Sequence, residues 1–91
     1  MRADVSNKHL IYGVHITGRV VHVPEVQHVF TLFGCNIKTR LGLHEASDKD
    51  CSPNGLILLE MVGDDARCRE MADRLRAIQG VEVKEMSFEH A

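Results

Sequence analysis

The 91-residue chain has no tryptophan, one tyrosine and three phenylalanines, so aromatic side chains make up only 4% of it. None of them is interleaved with a cluster of lysine or arginine, and the formal net charge is -2. With no basic cluster the chain has no electrostatic footprint for phosphate backbones, so direct nucleic-acid binding is not expected. Long apolar runs are missing as well. No segment approaches the roughly 18 residues needed to cross a bilayer, and Met1-Arg2-Ala3-Asp4 lacks the apolar core of a secretion signal. A cytoplasmic protein with no membrane partner is the expectation. Cysteines are three, Cys35, Cys51 and Cys68, an odd number with no C-x-x-C pair, which suggests neither a disulfide framework nor a zinc knuckle, and reduced thiols are expected. No linker, internal repeat or low-complexity stretch divides the chain, so residues 1–91 read as one domain.

What is present is ordinary globular material: 44% hydrophobic and 26% charged residues. A chain of this length buries one core, and a second packing surface from a partner subunit would add appreciably to it. Between residues 8 and 17, Leu10, Tyr12, Val14 and Ile16 alternate with Ile11, Gly13 and His15, the period of a strand with one apolar face. Gly18 breaks it. Pro24 then suits a first helical turn, where a missing N–H costs nothing, and Val26, Val29, Phe30 and Phe33 follow at helical spacing up to Gly34, expected as a left-handed cap.

A second strand is expected over about 35–44, with Ile37, Thr39, Leu41 and Leu43 on one face and Asn36, Lys38, Arg40 and His44 on the other. Turn formers crowd the stretch from Ser47 to Asn54-Gly55, consistent with a hairpin carrying a long loop. The third strand, 56–62, is apolar on both sides, as a central strand covered on both faces would be. Asp64 can cap a second helix whose buried stripe is Cys68, Met71, Ala72, Leu75 and Ile78, with Gly80 stopping it. The fourth strand, 81–88, bears Glu82, Lys84 and Glu85, the marks of a sheet edge.

The order βαββαβ specifies an α+β ferredoxin-like plait: a four-stranded antiparallel sheet, strands one and three central, both helices on one face. The charges fall on strands two and four and the apolar residues on one and three, in agreement. Helices on one face leave the second apolar side of strand three in need of a cover, and a sister subunit is the simplest one, as a dimer or tetramer.

The second strand with Ile37, Arg40 and Gly42, the apolar strand and helix after it, and Gly80-Val81-Glu82-Val83-Lys84 resemble, over about residues 10–88, the regulators of the iron-only hydrogenase system. These are stand-alone ACT-like domains, related to the nickel-binding C-terminal domain of nickel-responsive repressors. The resemblance implies an oligomeric sensor that holds a small-molecule effector where subunits meet. In ACT domains a glycine in the turn from the first strand into the first helix lets the effector approach the backbone, which here corresponds to Thr17-Gly18-Arg19. The nickel-binding relatives gather three histidines and a cysteine across a subunit interface.

Several residues are candidates for that chemistry. Gly18, Arg19, Arg40 and Glu60 are the expected effector-binding set, Arg40 and Glu60 facing each other across the second and third strands on the side away from the helices; the plainer alternative for those two is a cross-strand ion pair. His44 and Cys51 flank the polar loop and would suit a transition metal (nickel, zinc or copper), with His15, His22 and His28 as further donors. Cys35 and Cys68, like Met61, Met71 and Met86, read as core filler. No nucleophile stands beside a base and a third positioning group, so no enzyme activity is expected. Beside the effector sensor stand two alternatives, a metal-responsive protein and a non-catalytic adaptor that binds other proteins through its sheet.

Overall fold

The computed structural model describes residues 8–43 and 55–89. Strand β1 (Lys8–Ile16) leads into helix α1 (Arg19–Leu32), a 3₁₀ turn (Gly34–Asn36) and strand β2 (Ile37–Leu43). Strand β3 (Gly55–Met61), helix α2 (Asp65–Arg76) and strand β4 (Val81–Glu89) complete it. The four strands form one sheet in the order β2-β3-β1-β4, every neighbouring pair antiparallel. The apolar strands are thus central and the charged ones are edges, as expected of a ferredoxin-like plait.

The alternation in β1 decides which face is interior. Leu10, Tyr12, Val14 and Ile16 are buried, and in the same layer lie Leu59 and Met61 of β3 and Val83 of β4. Val26, Val29 and Phe30 of α1, with Phe33 just past its end, and Cys68, Met71, Ala72 and Leu75 of α2 close over them in one cluster. Both helices therefore cover the same side of the sheet. Asp64 caps α2 as its spacing predicts, its carboxylate accepting the Ala66 N–H at 2.9 Å. Asp65, in the first turn, reaches back to Lys8 at 3.3 Å and ties the helix start to the beginning of β1.

Helix α1 departs from expectation at both ends. It begins at Arg19 and carries Pro24 in its interior. Gly18, at φ 65°, turns the chain straight from β1 into helix, so the proline falls at the sixth helical position and deprives the Val20 carbonyl of its usual i+4 donor. Gly34 is not a left-handed cap, since positive φ among the described glycines is confined to Gly18, Gly63 and Gly80. The helix tightens instead into the 3₁₀ turn, where the Asn36 N–H donates to the Phe33 carbonyl at 2.9 Å. Asn36 then fastens the start of β2 to the end of β3: its carbonyl accepts from the Val62 N–H at 2.8 Å and its side chain donates to the Val62 carbonyl at 3.0 Å. Cys35, in that turn, is exposed rather than part of the core. Met86 is half exposed on edge strand β4 and likewise fills no core, whereas Met61 and Met71 do.

The main correction concerns β2. Ile37 pairs with Met61, but Thr39 pairs with the very next residue of β3, Glu60, so Lys38 is an extra residue in a β-bulge. One extra residue reverses the parity of everything after it. Ile37 packs against the core, while Thr39, Leu41 and Leu43 stand at register positions of the opposite face.

Candidate functional site

The face away from the helices presents three rows across β2, β3, β1 and β4. By pairing register they are Thr39, Glu60, Ile11 and Met86; then Leu41, Leu58, Gly13 and Lys84; then Leu56, His15 and Glu82, with the backbone of Leu43 paired to Leu56 at the β2 end. His9 and Phe88 form a fourth, partial row beyond the first. No described element covers this face. Leu41, Met86 and Phe88 are each about half exposed (53%, 50% and 54%), Leu56 is 37% exposed, and Leu58 and Ile11 are half-buried. Gly13 leaves a shallow point at the centre, where a Cβ would lie 3.8 Å from the Leu58 Cδ2.

Glu60 is the polar focus of this surface. Its carboxylate lies 3.0 Å from His9 Nδ1 and accepts the Thr39 hydroxyl at 3.4 Å. The bond to His9, helped by the charge of Lys38, holds the Glu60 pKa below the ordinary carboxylate range. At the opposite corner Lys84 lies 3.9 Å from Glu82, both side chains well exposed. Sequence reasoning did not single out His9, Lys84, Met86 or Phe88 as site residues. Their signal was available in the i, i+2 spacing of Met86 and Phe88 and in the pairing of β4 with β1.

Arg40 does not face Glu60. The bulge places it opposite Leu59 on the helix side, where its guanidinium lies 4.8 Å from the centre of the Phe30 ring. Neither the expected pocket lining nor the expected cross-strand ion pair forms between the two. Gly18 lies at the far end of the sheet from Glu60: Glu60 is level with Ile11, seven residues before Gly18, or about 23 Å along an extended chain. Arg19 opens α1 beside Gly18, and its side chain is outside the described part of the structure. The four residues are therefore spread over the turn, the helix side and the open face.

The β1–α1 turn is built against the α2–β4 connection. The Thr17 N–H donates to the Gly80 carbonyl at 2.7 Å, and the His22 N–H to the Gly18 carbonyl at 3.3 Å. The His22 imidazole fills the space over Gly80, where a Cβ would come within 3.0 Å of Cδ2 and 3.1 Å of Nε2, and it borders Gly18 as well. Gly80, at φ 83°, is thus required both by its backbone and by its neighbours. A separate open groove of about 350 Å³, mostly apolar, lies along Pro24, Glu25, His28, Val29 and Ile78.

His44 and Cys51 lie outside the described residues. Among the described residues no group of three or more histidine, cysteine, aspartate or glutamate side chains is gathered to hold a metal ion. The Cys68 thiol, buried and beside Asp65 and Asp64, is pushed up to about 11 and stays protonated at neutral pH, which removes its nucleophilic form. Among the described residues no helix is long and apolar enough to cross a membrane.

No family model matches the chain, and no curated protein does. Solved structures do. An uncharacterised protein from Thermotoga maritima, TM1266, superimposes with a TM-score of 0.74 at 21% identity, over 88% of this chain and 96% of that one. CPII, a nitrogen regulatory PII-like protein from Thiomonas intermedia K12 bound to ADP, AMP and bicarbonate, gives 0.56 at 10% identity over 92% of this chain and 96% of that one. A dimeric ferredoxin-like protein from an uncultured marine organism gives 0.53 at 7% identity over 90% and 94% of the respective chains. At such identities the likeness is one of fold, and it agrees with the plait described above.

Proposed function

We propose that this chain is a small, non-catalytic regulatory domain that self-associates through the open face of its sheet and takes a small effector where subunits meet. The observation that carries the reading is the apolar surface running across all four strands through Leu41, Leu56, Leu58, Ile11, Met86 and Phe88. A two-layer plait with so continuous an apolar stretch on its uncovered face is suited to binding another surface rather than to chemistry. Effector contact falls to Gly18 and Arg19, in the turn at one end of that face; Glu60 belongs to the association surface, and Arg40 supports α1 through Phe30. The fold shared with a PII-like protein that binds ADP, AMP and bicarbonate supports the regulatory reading and supplies the first ligands to try.

Sedimentation equilibrium, followed by thermal denaturation with adenine nucleotides, bicarbonate and amino acids, tests the proposal. The expected result is an oligomer at micromolar concentration whose melting temperature rises with one of these ligands by mass action, with the rise lost in Arg19→Ala. A monomer at every concentration overturns the association, and a flat response to the whole panel overturns the effector. The resemblance to regulators of the iron-only hydrogenase system extends the proposal to the process controlled. Unchanged hydrogenase activity after deletion of the gene from a host that carries this system would remove that extension.

A further inference from the structure

The open face is patterned, and the pattern selects one way of pairing it with a second copy. Its apolar residues run diagonally, from Leu56 and the Leu41–Leu58 pair on the β2–β3 side to Ile11, Met86 and Phe88 on the β1–β4 side. Charge occupies the two corners off this diagonal: Glu60, with Lys38 near it, at one, and Lys84 with Glu82 at the other. Resting on the association proposed above, the geometry points to a face-to-face dimer whose two-fold axis lies along the apolar diagonal, each Glu60 meeting the partner subunit's Lys84.

The argument is one of register. Strands about 4.8 Å apart and residues about 3.3 Å apart along them place every side chain of the face on a grid. Rotation about the diagonal carries Glu60, in projection, to within about 3 Å of the partner subunit's Lys84, and by symmetry Lys84 to the partner subunit's Glu60. The same rotation brings Glu82 to the edge where Lys38 and Thr39 stand, sets Leu56 beside the partner subunit's Leu41 and leaves Leu58 on the axis.

The other two-fold axes in the plane do worse. An axis along the strands buries Lys84 on the partner subunit's Leu41, and one across the strands places Glu60 over leucines. An axis perpendicular to the diagonal sets Glu60 nearly against its own counterpart, and like charges so juxtaposed strongly disfavour a complex. The diagonal axis also crosses the strands of the two sheets at nearly a right angle, which is one of the two established ways in which sheets stack. Glu60 is held in place for this role by His9 and Thr39.

Charge reversal tests the pairing. Glu60→Lys alone and Lys84→Glu alone each create two like-charge contacts per dimer, so each should raise the dimer dissociation constant by about a hundredfold while melting as a folded protein. Mixed one to one, the two variants should reassemble as a heterodimer, because each reversed residue then meets an opposite charge across the interface. A mixture that stays monomeric, or single variants that associate as tightly as the parent, overturns the diagonal pairing. Leu58→Asp separates the two levels of the argument: if it disperses the parent's dimer while the charge-reversed mixture fails, the open face associates in another orientation, and if the parent is itself monomeric the association reading falls as a whole.

Discussion

Gly80 occupies a position with no room for a side chain. A side chain there would need φ near 83°, would approach the Thr17 carbonyl to 2.9 Å and would press on His22. Gly80→Ala should destabilise the protein by about 1–3 kcal/mol, and His22→Ala in addition should recover only part of this, since the backbone carbonyl and the positive φ remain; chemical denaturation of the two variants checks both statements. Two buried groups give the fold a pH dependence at its alkaline limit. Burial, then the charge of Glu85, pushes the Tyr12 phenol up to about 12, and burial, then Asp65 and Asp64, pushes the Cys68 thiol up to about 11. Because the unfolded chain ionises these groups at their ordinary values, near 10 and 9, and the folded one later, stability is intact below pH 9. It falls between pH 9 and pH 12, by on the order of 2–3 kcal/mol per group. Denaturation at intervals across that range should show the decline, and a flat profile would refute it. The same protonation predicts that, in the folded protein, iodoacetamide modifies exposed Cys35 and leaves Cys68 intact, as peptide mass mapping would show.

At the scale of the element, α2 and β2 differ in how far they could be read. The sequence around α2 states where it starts, with Asp64 as cap and Asp65 in the first turn, whereas its end was placed too late: the helix stops at Arg76, and Ile78, expected on its stripe, packs into the core from the connection before Gly80. Asp64→Ala should cost about 1 kcal/mol, measured by chemical denaturation, through loss of its bond to the Ala66 N–H. Strand β2 was legible as a strand but not in its facing. Ile37, Thr39, Leu41 and Leu43 share a period of two, and nothing local distinguishes a regular strand from one with an extra residue, because the bulge is imposed by pairing with Met61 and Glu60 on another strand. Arg40 was misplaced for the same reason. Helix α1 began early because Gly18 allows an immediate turn, a freedom that Pro24 concealed by fitting a helical start so well. If Lys38 is the supernumerary residue, its deletion leaves Ile37 opposite Met61 and Thr39 opposite Glu60. The shortened chain should keep the fold and melt close to the parent, whereas a collapse of cooperative unfolding would show that the bulge itself is required.

For the molecule as a whole, the layer arrangement follows from where apolar residues fall along the strands, which is why the plait and the order of its strands are legible in the sequence. The grouping of the site is not, because it depends on register between strands far apart in sequence: His9 meets Glu60 across 51 positions. The proposed association through the open face predicts an apparent melting temperature that rises with protein concentration, a dependence that Leu58→Asp should abolish; calorimetry over a hundredfold dilution checks it. The bulge bears finally on how other sequences are matched to this one. A homologue built without the extra residue would correspond to this chain only if a one-position gap were opened beside Lys38. An ungapped alignment would set its outward side chains against the inward ones here, and any substitution pattern counted over β2 would mix two environments.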